Sequence, residues 1–242
     1  SALVTARRGE RNETVLFDVG PYPDVWLANA ERLAIDLAGI DVLFLSHWHW
    51  DHSGGIVPVV SAIAAARNAA GRAPLLVDLH PDRPDQRGIL TPLGVFAMLP
   101  PDPTFDDIAS AGGRVVTHAE EHLVADLFAA SGAIPRLTAY ETGLDGHHSW
   151  RGGAVVADPA IHDERCLVAT VAGRGTTVFT ACSHAGVVNV GLEAKRIVGD
   201  GPIDLILGGF HLAGTTVEDR ISPTVRDLRD LVAPRFVAPG HC

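Results

Sequence analysis

The 242-residue sequence has no surplus of basic residues: 19 Lys and Arg stand against 29 Asp and Glu, a formal net charge of −10. A chain of that sign cannot neutralise a phosphate backbone over a broad face, so general nucleic-acid binding is excluded; only a local basic pocket is left open. The sequence also lacks any apolar run long enough to span a bilayer, and no charged-then-apolar leader opens it. The expectation is therefore a soluble, cytoplasmic protein with no membrane partner. Cysteine is scarce. Cys166, Cys182 and Cys242 are too few for a disulfide framework. What remains is an ordinary globular balance, 47% hydrophobic and 20% charged, together with twelve histidines, many for this length.

Strand and helix signals alternate through the first third. Residues 2 to 8 read as a strand, and Thr14 to Asp18 is a β-rich run closed by Gly20-Pro21. Leu27 to Ala38 has helical spacing, with Gly39 as its expected C-cap. Asp41 to Leu45 reads as a strand buried on both faces, followed by an Ala-rich helix over 55–70 and another buried strand at Leu75 to Leu79. Prolines at 84, 92, 100, 101, 103 and 135 break the middle, which reads as an irregular excursion around 82–160 with one helix near Phe105 to Ala111. Cys166 to Ala172 and Thr176 to Ala181, joined by Gly173-Arg174-Gly175, form a hairpin signature. A helix over 186–198, a strand at Ile203 to Leu207, a helix starting at Ser222-Pro223 and a last strand at Arg235 to Ala238 complete the pattern. Hairpins beside strand–helix units predict an α/β (α+β) fold: one domain over 1–242, two sheets face to face with helices outside, an αββα sandwich. Both ends stop abruptly, so a trimmed core is expected.

The chemistry concentrates in His47-Trp48-His49-Trp50-Asp51-His52, directly after a buried strand and before Gly54-Gly55. Three imidazoles and a carboxylate suit zinc. On extended backbone His47 and His49 point the same way and can share one ion; the turn into a helix then aims Asp51 and His52 at a second. A solvated polar loop is the bland alternative, and four ligand residues at these spacings argue against it.

His-x-His-x-Asp-His followed by Gly-Gly resembles the metallo-β-lactamase superfamily, whose four-layer αββα sandwich the element order matches along nearly the whole chain. The resemblance implies that Asp18, in Leu16-Phe17-Asp18-Val19-Gly20, holds the metal loop from behind, and that His241 completes the second ion with Asp51 and His52. Ala181-Cys182-Ser183-His184-Ala185-Gly186, Gly208-Gly209-Phe210-His211-Leu212, Gly240-His241-Cys242 and Ile134-Pro135-Arg136 with Glu141 are similar to the branch of dihydropterin ribofuranosylaminobenzene-phosphate synthase-like proteins.

The third ligand of the first ion is expected to be His184, in the loop between a buried strand and a helix. Cys182, expected to be peripheral, could instead supply a thiolate, with His162 then entering the set; Cys182 as a small buried apolar residue is the rival. His211, after a buried strand and a Gly-Gly pair, reads as a substrate contact or proton donor, or equally as a core-edge histidine bonded to backbone. His118-Ala119-Glu120-Glu121-His122 fits an H-x-x-E-H zinc-protease pattern, but following a strand it reads as a solvated acidic helix start. His147-His148 reads as surface loop; His80 and Arg87 are weak candidates for substrate contacts.

The resemblance implies two zinc ions, with Mn or Fe as other occupants. Paired zinc would acidify a shared water for hydrolysis of an ester, lactone, amide or phosphoester, with Asp51 orienting it. The branch implies a different reaction on a small, phosphorylated substrate: a synthase joining a dihydropterin precursor to a ribofuranosylaminobenzene phosphate. Arg136 would then contact phosphate, or be a surface arginine after Pro135. Diiron redox relatives carry Glu where this chain has His49, which favours zinc. A non-catalytic binding module conflicts with the intact motif. Nothing in the sequence sets the oligomeric state.

Overall fold

Alternation along the strands decides what each layer contains. A computed structural model describes residues 1–91 and 93–241, so Pro92 and Cys242 lie outside the described residues. The chain begins with β1 (Ala2–Arg8), β2 (Arg11–Phe17), α1 (Pro23–Arg32), β3 (Val42–Phe44), α2 (Trp50–Ser53), α3 (Ile56–Ala69) and β4 (Leu76–Leu79). The middle holds β5 (Gln86–Leu90), β6 (Phe96–Met98), α4 (Phe105–Ser110), β7 (Arg114–Thr117), β8 (His122–Val124), β9 (Phe128–Ala130), β10 (His147–Arg151) and β11 (Ala154–Ala157). Then come β12 (Leu167–Val171), β13 (Gly175–Phe179), α5 (Val187–Val198), β14 (Ile203–Gly209), α6 (Glu218–Asp227) and β15 (Phe236–His241).

The strands form a five-stranded sheet ordered β1-β2-β3-β4-β7, a six-stranded sheet ordered β15-β14-β13-β12-β9-β8, and a four-stranded sheet ordered β11-β10-β5-β6. Leu16 and Leu43 face Ile56, Val59 and Ile63 of α3. Their neighbours Val15, Phe17, Val42 and Phe44 point the opposite way, toward Phe128, Leu167 and Phe179 of the six-stranded sheet. The far side of that sheet, with Val168, Val178 and Ile206, packs on Val187, Val190 and Ala194 of α5. Three apolar layers between helix, sheet, sheet and helix make the four-layer αββα sandwich. Among the described residues no helix is long and apolar enough to cross a membrane.

Three boundaries differ from expectation. The first helix starts at Pro23, whose fixed φ suits an opening turn, and ends at Arg32. Leu33 beyond it is 72% exposed and Ala34 takes φ 50°, so the helical turn is broken there, while Ile35 and Leu37 still pack on the core and Gly39 closes only a short 3-10 turn. The late helix begins at Glu218, one turn before Ser222-Pro223, with Glu218 and Asp219 at its positive end. The middle is more regular than its prolines suggest. Pro84 precedes β5, Pro100, Pro101 and Pro103 lie between β6 and α4, and Pro135 follows β9, so they flank strands and do not interrupt them.

β2, β3 and β4 run parallel, with Phe17 beside Phe44 and Phe44 beside Asp78. β13, β14 and β15 are also parallel, and a register shift at Gly208/Gly209 brings Gly209 beside His241, inside the last strand. Parallel strands end together, so the segments after β2, β3, β13 and β14 gather at one rim with the end of β15. Phe44 sits fully buried beneath that rim, stacked on Phe17 at 5.8 Å. Phe44→Ala is expected to cost about 3–5 kcal/mol in urea unfolding. A cost under roughly 1 kcal/mol would show that the inter-sheet layer collapses around the gap.

Candidate metal centre

The His47–His52 loop is held from both sides by buried carboxylates. Asp18, at φ 54° just past β2, accepts from Ser46 N at 2.8 Å, from Ser46 Oγ at 2.9 Å and from His52 Nδ1 at 2.7 Å. Opposite it, Asp163 accepts from Trp48 N at 2.7 Å, and Arg87 donates to Trp48 O at 2.7 Å and to Asp163 at 2.5 Å. Gly55 donates to Gly20 O at 2.9 Å, and a Cβ there would stand 3.1 Å from that oxygen. The loop after β13 is held in the same manner. Glu164 accepts from His184 N at 2.9 Å and Ala185 N at 2.7 Å, while Glu141 accepts from Val188 N and Asn189 N at the start of α5. Gly186, at φ 93°, has no room for a Cβ, which would lie 2.1 Å from the Glu141 carboxyl carbon.

Hydrogen-bond bookkeeping assigns the ring protons. The single Ser46 hydroxyl proton goes to Asp18, so His47 Nδ1, 2.9 Å from Ser46 Oγ, must donate, leaving Nε2 bare. His147 Nδ1 lies 2.8 Å from the Asp158 carbonyl and must also donate. Burial keeps His147 neutral, so its Nε2 accepts from His49 Nε2 at 3.0 Å, and His49 Nδ1 is bare. The bare His47 Nε2 and His49 Nδ1 face each other at 3.0 Å, and His184 Nε2 lies 3.2 Å from His49 Nδ1. Burial, reinforced by neighbouring imidazoles, holds all three rings well below the usual histidine range. The lone pairs of His47 and His49, converging with no proton between them, repel unless a cation sits among them, and His184 Nε2 is placed to join it. Tetrahedral zinc, with nitrogen at about 2.0–2.1 Å, sets such atoms roughly 3.3–3.4 Å apart, close to what is seen.

A second set adjoins the first. His52 Nε2 lies 3.2 Å from Cys182 Sγ and 3.3 Å from Asp51 Oδ2, which is also 3.3 Å from His241 Nε2. Burial opposes charge on His52, but Asp18 and Asp51 outweigh it and push the imidazole up to about 10. Burial likewise raises Asp51, but His52 and His241 pull it down to about 2. The two sets, His47/His49/His184 and Asp51/His52/Cys182/His241, each could hold a metal ion. Beside the second lies a cavity of about 390 Å³ lined by Phe17, Phe179, Leu207, Asp51, His52 and His241.

The structure thus brings His47, His49, Asp51, His52, His184 and His241 together, with Asp18 behind them. Cys182, expected to be peripheral, has its sulfur with the second set, 3.2 Å from His52 Nε2. His162 is exposed and outside both sets. His211, at φ 47°, faces His184 with ring centroids 4.8 Å apart, and its buried Nδ1 has no hydrogen-bond partner. Arg136 is turned to the backbone, donating to the carbonyls of Ile134 and Ala160, so two of its three nitrogens are engaged. Arg87 and His80 serve the loop itself; the His80 carbonyl accepts from Trp48 Nε1 at 2.9 Å. His147, read as surface loop, is buried on β10 and orients His49. No sequence signal marked it, because the residues that alternate into the interior are the polar His147 and Ser149, not apolar ones. Asp163-Glu164-Arg165 was also missed, because three consecutive charges read as solvated; all three are buried.

Among solved structures, the chain is similar to the metallo-β-lactamase MIM-1 of Novosphingobium pentaromativorans: 15% identity, 92% of this chain and 74% of that one, TM-score 0.41. It is similar to the Rm3 metallo-β-lactamase at 14% identity, over 98% and 80% of the two chains, TM-score 0.43. At the sequence level it is 27% identical to the 7,8-dihydropterin-6-methyl-4-(β-D-ribofuranosyl)-aminobenzene-5′-phosphate synthase of Methanocaldococcus jannaschii, over 100% of this chain and 79% of that protein. An uncharacterised protein of the same organism is 25% identical over 85% of this chain and 70% of its own length. Residues 2–195 match the metallo-β-lactamase superfamily, with the histidine motif and both sheets' opening strands inside the match. On that match, the chain belongs to the metallo-β-lactamase superfamily.

Proposed function

We propose that the protein is a dinuclear zinc enzyme that joins the 6-methyl carbon of a dihydropterin precursor to the amine of a ribofuranosylaminobenzene phosphate. The reading rests on the two converging ligand sets, and its choice of reaction on the similarity, spanning the whole chain, to the M. jannaschii synthase. His47, His49 and His184 would hold one ion; Asp51, His52, Cys182 and His241 the other. A thiolate in the second set favours zinc over manganese. When bound, such ions supply Lewis-acid charge that stabilises a departing oxygen.

The rest of the step falls to the chain. The product's name requires a new C–N bond: the arylamine lone pair attacks the methyl carbon, whose oxygen leaving group departs with its bonding electrons. The nitrogen then sheds one proton. His211, half-buried beside His184, is the group we assign to take it. Asp51, kept anionic and 45% exposed at the cavity edge, would orient the amine. Phe17 and Phe179 offer the cavity flat apolar walls for an aromatic ring.

Metal analysis of zinc-replete protein should find about two ions in these sets, and His47→Ala with His49→Ala should remove one of them preferentially; trace metal alone would overturn the assignment. His147→Ala leaves His49 Nε2 without its acceptor and should weaken zinc at the first set by about 10–100-fold in chelator competition. Unchanged affinity would mean that His147 does not orient His49.

The reaction is tested by incubating the zinc protein with 4-(β-D-ribofuranosyl)aminobenzene 5′-phosphate and a dihydropterin activated at its 6-methyl carbon. Mass spectrometry should find the coupled product, and His211→Ala should slow it by about 10²–10⁴-fold. Hydrolysis of aryl esters or phosphoesters with no coupled product would replace the synthase reading by the hydrolytic one.

A further inference from the structure

A third group of metal-ligand side chains lies apart from both sets. Asp78 near the end of β4, His118 just past β7 and His122 opening β8 place three donor atoms within reach of one ion. His118–His122 does not start a helix: the chain bends between two strands, and this bend turns both rings onto Asp78. His118 Nδ1 lies 3.1 Å and His122 Nε2 2.7 Å from the same oxygen, Asp78 Oδ2. The rings stack at 3.8 Å with 21° between planes.

The proton count is again short. His122 Nδ1 stands 2.9 Å from the Glu120 carbonyl and must donate to it, so a neutral His122 aims a bare Nε2 at a carboxylate oxygen. Either a second ring proton or a metal ion between them removes that repulsion. An extra proton would serve the His122 contact alone, with His118 donating from Nδ1 as a neutral ring, whereas one divalent ion serves both rings and the carboxylate together. The other Asp78 oxygen is fixed by Arg165 Nη1 at 2.8 Å, and Arg165, fully buried, also donates to Leu45 O. The carboxylate therefore cannot swing away to water. The His118 side chain is 40% exposed, so an ion can enter from solvent and keep water in a fourth position.

We propose that Asp78, His118 and His122 form a third divalent-metal site, suited to zinc, that clips the two sheets together. Its place gives its role. β7 is the edge of the five-stranded sheet and β8 the edge of the six-stranded sheet. An ion here ties one edge to the other across the sandwich, and shares no residue with the paired sets.

Zinc titration of chelator-stripped protein, followed by metal analysis and thermal unfolding, tests this. The wild type should take one zinc beyond those of the paired sets. His118→Ala with His122→Ala should lose one equivalent, and its unfolding temperature should no longer rise with zinc at that site. His47→Ala with His49→Ala should keep the clip's response, which separates failure here from failure of the paired-site reading. His118→Gln, at a half-exposed position, guards against misfolding of the double variant and should weaken the extra zinc at least tenfold. Equal zinc content and equal thermal response in wild type and in both His118 variants would overturn the clip, leaving a proton-bridged histidine–carboxylate pair.

Discussion

Everything at the rim depends on buried carboxylates spending their lone pairs on backbone N–H groups. Asp18, Asp163, Glu164 and Glu141 each accept from main-chain amides of a loop or helix start that the sheets alone do not fix. A buried carboxylate is costly until satisfied, so each loop has one geometry in which the cost is met. The imidazoles inherit that rigidity. Asp18 fixes the Nδ1 proton of His47, through Ser46, and of His52 directly, so a single acid orients one ring in each set.

The layering was legible because it is written locally. Val15 to Phe17 and Val42 to Phe44 alternate between two apolar layers, and Gly173-Arg174-Gly175 turns the β12–β13 hairpin where expected. The histidine motif was legible for the same reason, since its ligands lie within six residues of one another. The supports were not. Asp163 meets Trp48 across 115 residues, and His147 meets His49 across 98. Nothing near Asp163 in sequence says that its charge will be met by Arg87 of β5 and the Trp48 amide of the histidine loop. Helix ends were misplaced where a local pattern had no tertiary partner, as at Leu33.

Cys182, expected to be peripheral, does not join the three imidazoles of the first set. It lies with Asp51, His52 and His241, because Ser183 takes φ 56° and lets adjacent side chains diverge to separate sets. A strand continued through 182–184 would have sent Cys182 and His184 to the same side.

The separations between partners also govern how the centre comes into being. His49 and His184 are 135 residues apart, and His52 and Cys182 are 130. The unfolded chain offers His47 and His49 only as a loose local chelator, because closing loops of that length costs entropy that no single contact returns. Docking of the two sheets and completion of the ligand sets are therefore one event. A chain of such long-range contacts folds slowly, and metal met before docking can be gripped by the wrong histidines among the twelve. For this architecture, the order in which sheets and ions arrive is a yield-determining variable.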